Sequence, residues 1–304
     1  MGEKVGKQRV LIVFNRRASN YRLVDKEVLR KAPEGHQTYA VRPTNVNDNA
    51  EKLAKRIEDG DLVISAGGDG TATVAVNGIM LSGKDARLAV LPYGNFNDMA
   101  RAFGTKNLRD ILEAGEETVE EAWPMEMLVD GEHFRYGVCY FTVGMFAEAT
   151  EIFDLKDNRD YLKAKKGSIS YSLRVLMAWY FQNVKKEFLP KFTLNGKKIA
   201  KGTSDYMAIN NVSVARFMKG RRWYWGKMFS SVTLRGTDLK ELVKFMMRAV
   251  LFGIPGREVK EDKLIFNEYA DVEIQGEGEY VRLIGVKKIE VRKAEKSLKV
   301  ISLR

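Results

Sequence analysis

Apolar positions in the first 124 residues switch repeatedly between two periods. Residues 9–14 form a short, continuous apolar run rich in β-branched side chains, which predicts a buried strand. Residues 36–41 predict a second strand and residues 61–66 a third. In the third, Leu62, Val63 and Ile64 are contiguous, as in a parallel sheet covered on both faces. Residues 86–91 predict a fourth. Between the strands, Ala50, Leu53, Ala54 and Ile57 fall at helical spacing behind Asn47-Asp48-Asn49, which predicts a helix with a polar cap. Residues 72–80 and 98–103 predict two more helices. This alternation predicts a parallel α/β domain.

The texture changes after Pro124. Residues 125–129 and 133–138 flank Asp130-Gly131, a hairpin signal. Further strands are predicted at 141–143, 188–194, 206–209, 231–234 and 271–274, with an Asn195-Gly196 turn after the second of these. Helices are predicted at 168–184 and 239–252. The second region therefore reads as a mainly antiparallel domain with inserted helices. Residues 298–303 alternate as a strand that either closes the second sheet or returns to the first. The expected organisation is an α/β chain of two domains, 1–124 and 125–304, with 292–304 a candidate addition to the first.

Composition narrows the class. A chain of 304 residues with 45% hydrophobic content buries a large core and is not disordered. Cys139 is the lone cysteine, and with two histidines it argues against a zinc site. The apolar run 175–181 is far shorter than the ~20 residues of a membrane span. The run 10–14 is too short for a secretory leader, so a cytoplasmic chain is expected. Net charge is +11, unevenly spread. Residues 1–124 hold 18 basic and 18 acidic side chains; the remainder holds 33 and 22. Within 161–235, sixteen basic residues face only Glu187 and Asp205. Such an excess attracts an anionic membrane surface or, as the weaker candidate, nucleic acid.

Two loops carry the candidate chemistry. Gly67-Gly68-Asp69-Gly70-Thr71 lies between a predicted strand and helix. Glycines there let the backbone approach an anion, and the helix directs its free N–H groups and positive dipole end toward that anion. A polyphosphate suits such a loop, and Asp69 beside it calls for Mg²⁺. Pro92-Tyr93-Gly94-Asn95-Phe96-Asn97-Asp98 also follows a strand and opens a helix. Parallel strands bring both loops to one crevice.

With Asn77-Gly78 between them and Met99-Ala100-Arg101 after them, these segments resemble the catalytic domain of the diacylglycerol kinase and sphingosine kinase family. Asn15, Thr44 with Ala50, Val143-Gly144-Met145-Phe146-Ala147, and Lys166-Gly167 with Tyr171 add to the likeness. The first loop alone is shared with NAD kinases and phosphofructokinases; the second, at this distance, is more specific. The resemblance implies a Rossmann-like, ATP-binding first domain and a β-sandwich-like, lipid-binding second domain. Phosphate would pass from ATP to a lipid hydroxyl, such as that of diacylglycerol, in the cleft between them. By position, Asn15, Thr44, Gly67, Gly68, Gly70, Thr71 and Asn97 would line the nucleotide, and Asp69 would face Mg²⁺. Asp98 would organise the second loop. The family's Asp-Gly-Glu base motif corresponds to Glu277-Gly278-Glu279, with Glu279 as base. A shifted frame, Gln275-Gly276-Glu277, makes Glu277 the base instead.

Departures from the pattern accompany the likeness. The family's Asn-Pro-x-Ser-Gly loop is here Asn15-Arg16-Arg17-Ala18-Ser19-Asn20. Val74 and Asn95 replace a usual glutamate and threonine. In Trp223-Tyr224-Trp225-Gly226-Lys227-Met228-Phe229 a tryptophan stands where a structural metal site would need the aspartate of an Asp-Gly pair, so that metal is not expected. These changes leave a divergent kinase, a soluble NAD-kinase-type enzyme and a non-catalytic nucleotide- or lipid-binding module as alternatives. For a lipid kinase, Lys163, Lys165, Lys166, Lys185, Lys186, Arg216, Lys219, Arg221 and Arg222 are interleaved with Phe217, Trp223, Tyr224 and Trp225. They form a candidate face for an anionic bilayer. Trp179, Tyr180 and Phe181 belong either to that face or to a helix core.

Overall fold

The computed structural model describes residues 9–18, 20–154, 169–211, 213–214, 218–219, 226–277 and 279–304. Two units divide the chain. The first comprises the chain up to Pro124 with Arg135–Val138 and Ala294–Arg304; the second comprises Met125–Phe134 and Cys139–Lys293.

In the first unit, β1 (Val10–Phe14), β2 (Gln37–Ala40), β3 (Leu62–Gly67), β4 (Arg87–Pro92) and β5 (Val119–Ala122) join the chain's last strand, β18 (Leu298–Ile301). The order is β2-β1-β3-β4-β18-β5. Every pairing is parallel except β18 with β5. Of the two courses open to residues 298–303, the chain takes the return to the first sheet. β1 and β3 are buried along their whole length, as their unbroken apolar runs require.

Helices α1 (Tyr21–Val24, running on as a π-turn over Asp25–Leu29), α2 (Val46–Ala54), α3 (Asp69–Ser82), α4 (Asp98–Phe103) and α5 (Leu108–Leu112) connect the strands. Residues 21–29 carry no helix signal in the sequence because only Val24 and Val28 are buried, too thin a stripe to read. α2 begins earlier than its apolar spacing suggests. Asn45, extended at φ −65° and ψ 163°, accepts the Asp48 N–H at 2.7 Å and is the cap. Asn47-Asp48-Asn49 lies inside the first turns. Gly78 lets α2 approach α3, since a Cβ there would lie 2.7 Å from Leu53 Cδ2.

The second unit is built on one ten-stranded sheet. Its strands are β6 (Met125–Val129), β7 (Glu132–Gly137), β8 (Tyr140–Gly144), β9 (Phe192–Leu194), β10 (Lys197–Lys198), β11 (Asp205–Ile209), β14 (Phe229–Leu234), β15 (Arg257–Val259), β16 (Glu261–Gly276) and β17 (Glu279–Lys293). The short pair β12 (Ser213–Val214) and β13 (Met218–Lys219) stands apart. The backbone of the ten runs β15-β14-β11-β8-β16-β17-β6-β7, and the β9–β10 hairpin joins β16. Asn195 and Gly196 both have positive φ, 52° and 75°, as a two-residue hairpin turn demands.

β16 is far longer than its signal at 271–274. Register shifts between Ile265 and Val272 break the alternation that would have revealed the rest. β9 is shorter than expected because Pro190 cannot donate to a ladder. Met127, Phe141, Tyr206, Phe229, Leu264, Phe266 and Ile289 meet in this unit's core. Helices α6 (Met145–Asp154), α7 (Ile169–Asn183) and α8 (Leu239–Leu251) belong to the same unit.

Candidate active site

The four parallel strands β2, β1, β3 and β4 end on one edge of the first sheet. Gly67 closes β3, Gly68 turns in an extended conformation, and α3 starts at Asp69. A Cβ on Gly67 would lie 2.3 Å from Thr71 Oγ1. A Cβ on Gly94 would lie 2.3 Å from the Gly68 Cα, and one on Gly68 would lie 3.2 Å from the Gly94 Cα. The two glycine loops therefore pack backbone against backbone, tied by the Tyr93 N–H donating to Gly67 O at 2.9 Å. Gly68 has no side chain to cap α3. The N–H groups and dipole of this fourteen-residue helix are thus presented at the loop, where an anion is favoured.

Asn97 adopts left-handed geometry, φ 54°. Its carboxamide accepts the Gly94 N–H at 2.7 Å and donates to Gly94 O at 2.8 Å, so it braces the second loop. Asp69 joins the loops from the other side: its Oδ1 accepts the Met99 N–H at 3.2 Å in the first turn of α4. Burial pushes the Asp69 carboxyl up to about 7, helped by the neighbouring Asp98 and opposed by the Met99 N–H and Arg101. Asp98 is itself buried and receives Arg101 Nη2 at 2.5 Å.

The β1 loop reaches the same edge. Asn15 Oδ1 accepts the Arg17 N–H at 2.8 Å, and Asn20 Nδ2 donates to Tyr93 O at 3.3 Å. Tyr93 in turn donates its hydroxyl to Glu27 at 3.3 Å. Thr44 Oγ1 accepts from Asn49 Nδ2 at 2.9 Å. The fully buried Asn49 also accepts the Arg42 N–H at 2.8 Å. Asn49, read from sequence as part of a helix cap, is the organiser of the Thr44 loop. Asn20 and Glu27 were not singled out by the sequence, because their roles depend on Tyr93, far along the chain. Arg16, Arg42 and Arg56 line a pocket of about 400 Å³ beside these loops, with Tyr39 in its wall.

Asn77 holds this unit together from behind. It accepts the Tyr136 N–H at 2.7 Å and donates to Tyr136 O at 2.9 Å. The structure therefore gathers Asn15, Thr44, Gly67, Gly68, Asp69, Gly70, Thr71 and Asn97 on one sheet edge.

The two candidate bases sit in the second unit. Glu277 occupies the turn between β16 and β17 at φ 53°, is buried, and accepts the Cys139 N–H. Glu279 opens β17, opposite Gly276, and is partly exposed. Gly278 lies outside the described residues. Near Cys139, Asn211 donates to its Sγ at 3.1 Å, and the buried Lys293 donates to Asn210 Oδ1 at 2.5 Å. Burial pushes the Lys293 ammonium down to about 7. These three partners carry no signal in the sequence.

The Val143–Ala147 segment also has a geometric reason. Gly144 sits at φ 106°, and a Cβ there would lie 2.1 Å from Ser204 O. Asp205 accepts the Phe146 N–H at 2.7 Å, which anchors α6, and burial pushes its carboxyl up to about 7.

Lys163, Lys165, Lys166, Gly167, Arg216, Phe217, Arg221, Arg222, Trp223, Tyr224 and Trp225 lie outside the described residues, as does Ser19. Of the aromatic trio on α7, Tyr180 is buried with its hydroxyl on Thr237 O at 3.1 Å, and Trp179 packs on Phe188 at 5.6 Å. Phe181 is exposed. Lys186 pairs with Glu148 at 2.5 Å. Among the described residues, no helix is long and apolar enough to cross a membrane. Also among them, no three His, Cys, Asp or Glu side chains cluster as a metal cage.

The pairing of these two glycine loops has counterparts elsewhere. Residues 9–127 match the diacylglycerol kinase catalytic domain. This stretch is similar to that domain family. Over 112 residues the chain is 34% identical to a diacylglycerol kinase of Bacillus subtilis, covering 36% of this chain and 37% of that one. A diacylglycerol kinase of Staphylococcus aureus is 30% identical over 119 residues, 38% of this chain and 37% of its own length. These sequence matches span little more than a third of each relative.

The fold likeness extends further. A diacylglycerol kinase structure from Bacillus anthracis superposes over 99% of this chain and 98% of its own, with a TM-score of 0.62 at 16% identity. A second chain from that organism reaches 0.65 at 21%, covering 99% of both. The two-sheet architecture, one mostly parallel and one antiparallel, is thus that of solved diacylglycerol kinases.

Proposed function

We propose that this chain is an ATP-dependent lipid kinase that transfers the γ-phosphate to a lipid hydroxyl, with diacylglycerol or a related lipid as acceptor. The observation that carries this reading is the backbone-to-backbone packing of Gly68 and Gly94 at the start of α3. It leaves no room for a side chain between the two loops, and the helix N-terminus beside them favours phosphate. Gly67, Gly68, Gly70 and Thr71 would hold the phosphates; Asn15 and Thr44 would line the nucleotide, and Asn97 would keep the second loop in place.

The donor set around Asp69 fits Mg²⁺, an ion bound through one or two carboxylates plus substrate phosphates rather than by a protein cage. When bound, it would neutralise charge on the phosphates and hold Asp69 ionised. The lipid oxygen attacks the γ-phosphorus, the bond to the β–γ bridging oxygen breaks, and ADP leaves. The hydroxyl proton needs an acceptor. We assign that role to Glu279, whose carboxyl is partly exposed, and the shaping of the turn to Glu277, whose carboxylate is taken up by the Cys139 N–H. The chain would work in the cytoplasm at the surface of an anionic membrane, where its acceptor resides.

The test is transfer of labelled phosphate from ATP, with Mg²⁺, into a mixed lipid extract in micelles. A labelled lipid that is absent with Asp69→Ala supports the reading and identifies the acceptor. ATP binding without any labelled lipid would overturn it in favour of a water-soluble acceptor.

A further inference from the structure

Helix α8 is apolar over far more of its circumference than the protein covers. One face is used: Phe245 and Ala249 are buried, Leu242 packs with Met145, Tyr180 and Phe188, and Phe245 meets Phe146 at 6.4 Å. An inward stripe of this kind is enough to hold a surface helix. A second stripe follows at helical spacing and faces out. Val243 is 47% exposed, Met247 59%, Leu251 58% and Phe252, at the helix end, 85%. These residues wall a groove of about 800 Å³ together with Lys240, Lys244 and Arg248. The three cations recur every fourth residue, so they form a continuous basic row along the border of the apolar stripe.

We propose that this face of α8 is a docking surface for an anionic lipid bilayer. An apolar stripe flanked by a row of cations is the arrangement of helices that lie in the plane of a membrane interface. The long basic side chains lay their methylenes along the apolar ridge and carry their charge to headgroup level. Charge complementarity selects this occupant over a second copy of the chain. An isologous pairing through α8 would set the Lys240-Lys244-Arg248 row against itself. The surface deepens the lipid-kinase reading, because it gives the protein a means of reaching an acceptor that stays in the bilayer.

The experiment is sedimentation of the full chain with phosphatidylglycerol–phosphatidylcholine vesicles and with phosphatidylcholine vesicles. It compares wild type, Val243→Ser/Met247→Ser/Phe252→Ser, and Lys240→Gln/Lys244→Gln/Arg248→Gln. All six positions are on the exposed face, so the fold is expected to survive, as circular dichroism would verify. The serine variant should lose about tenfold or more in affinity for the mixed vesicles, and the glutamine variant should lose its preference for phosphatidylglycerol. A Met247→Cys protein labelled with an environment-sensitive dye should shift to the blue on adding mixed vesicles; Cys139 is buried and stays unlabelled. Unchanged vesicle binding by both variants, with no dye shift, overturns the proposal. A dimer that the serine substitutions dissociate, with vesicle binding intact, assigns the face to a second copy instead. Vesicle binding is read without turnover. Binding through α8 in a protein that phosphorylates no lipid would therefore count against the kinase reading alone, and lipid phosphorylation indifferent to α8 would count against the docking surface alone.

Discussion

The paired glycine loops and the Glu277 turn stand at opposite extremes of how sequence encodes a site. In the loops, residue type follows from backbone geometry. Gly67, Gly68 and Gly94 are glycines because a Cβ at 67 or 94 would strike a neighbour at 2.3 Å and one at 68 would crowd Gly94 Cα. Thr71 of the same loop constrains Gly67, while Gly68 and Gly94 constrain each other, and both loops show in the sequence as glycines between a strand and a helix. In the turn, nothing local explains Glu277. It lies at φ 53°, where a glycine would be easier, and its carboxylate serves the N–H of Cys139, 138 positions away. Backbone requirements are legible in a sequence; side-chain partnerships across a sheet are not.

Substitutions sharpen that contrast in order of size. Asp69→Ala should lower phosphate transfer by about a thousandfold or more while leaving the fold intact, since it removes the one acid at the phosphates. Wild-type turnover would end its metal role. Glu279→Gln should lower turnover by about a hundredfold, the scale of a lost general base, with ATP affinity unchanged. The same substitution at Glu277 should act mainly on stability. If Glu277→Gln alone stops turnover, the base lies one frame earlier.

Asn77→Ala should destabilise the first unit by about 1–3 kcal/mol in urea unfolding, because both main-chain groups of Tyr136 lose their partner. A pH dependence stands beside these substitutions. The Asp205 carboxyl stands at about 7 in the folded chain against an ordinary 3.8, so between those values the native state keeps a proton that the unfolded state releases. Stability therefore falls as pH rises from about 4 to about 7. Asp205→Asn, which still accepts the Phe146 N–H, should flatten that slope in thermal melts followed across pH. An unchanged slope would show that the carboxyl titrates normally.

The rest of the fold repeats the lesson. β1, β3 and β4 were readable because strands buried on both faces are unbroken apolar runs. α1 was hidden by its two-residue stripe, and most of β16 by its register shifts. Asn15 and Thr44 came forward only through the family resemblance, and Asp69 through the glycine loop that holds it. Asn20, Glu27 and Asn49 were missed, because each acts on a loop that only the folded chain brings near, or in a role its position does not announce.

The central claim is that two loops packed through Gly68 and Gly94 make an ATP site out of backbone. Calorimetric titration of Mg²⁺–ATP into wild type and Gly94→Ala tests it most directly, with circular dichroism melts to confirm that the variant is folded. The account predicts saturable binding to wild type and a loss of about tenfold or more in the variant, as the added methyl forces the loops apart. Equal affinity in a folded Gly94→Ala protein, or no binding of ATP to wild type, would contradict it.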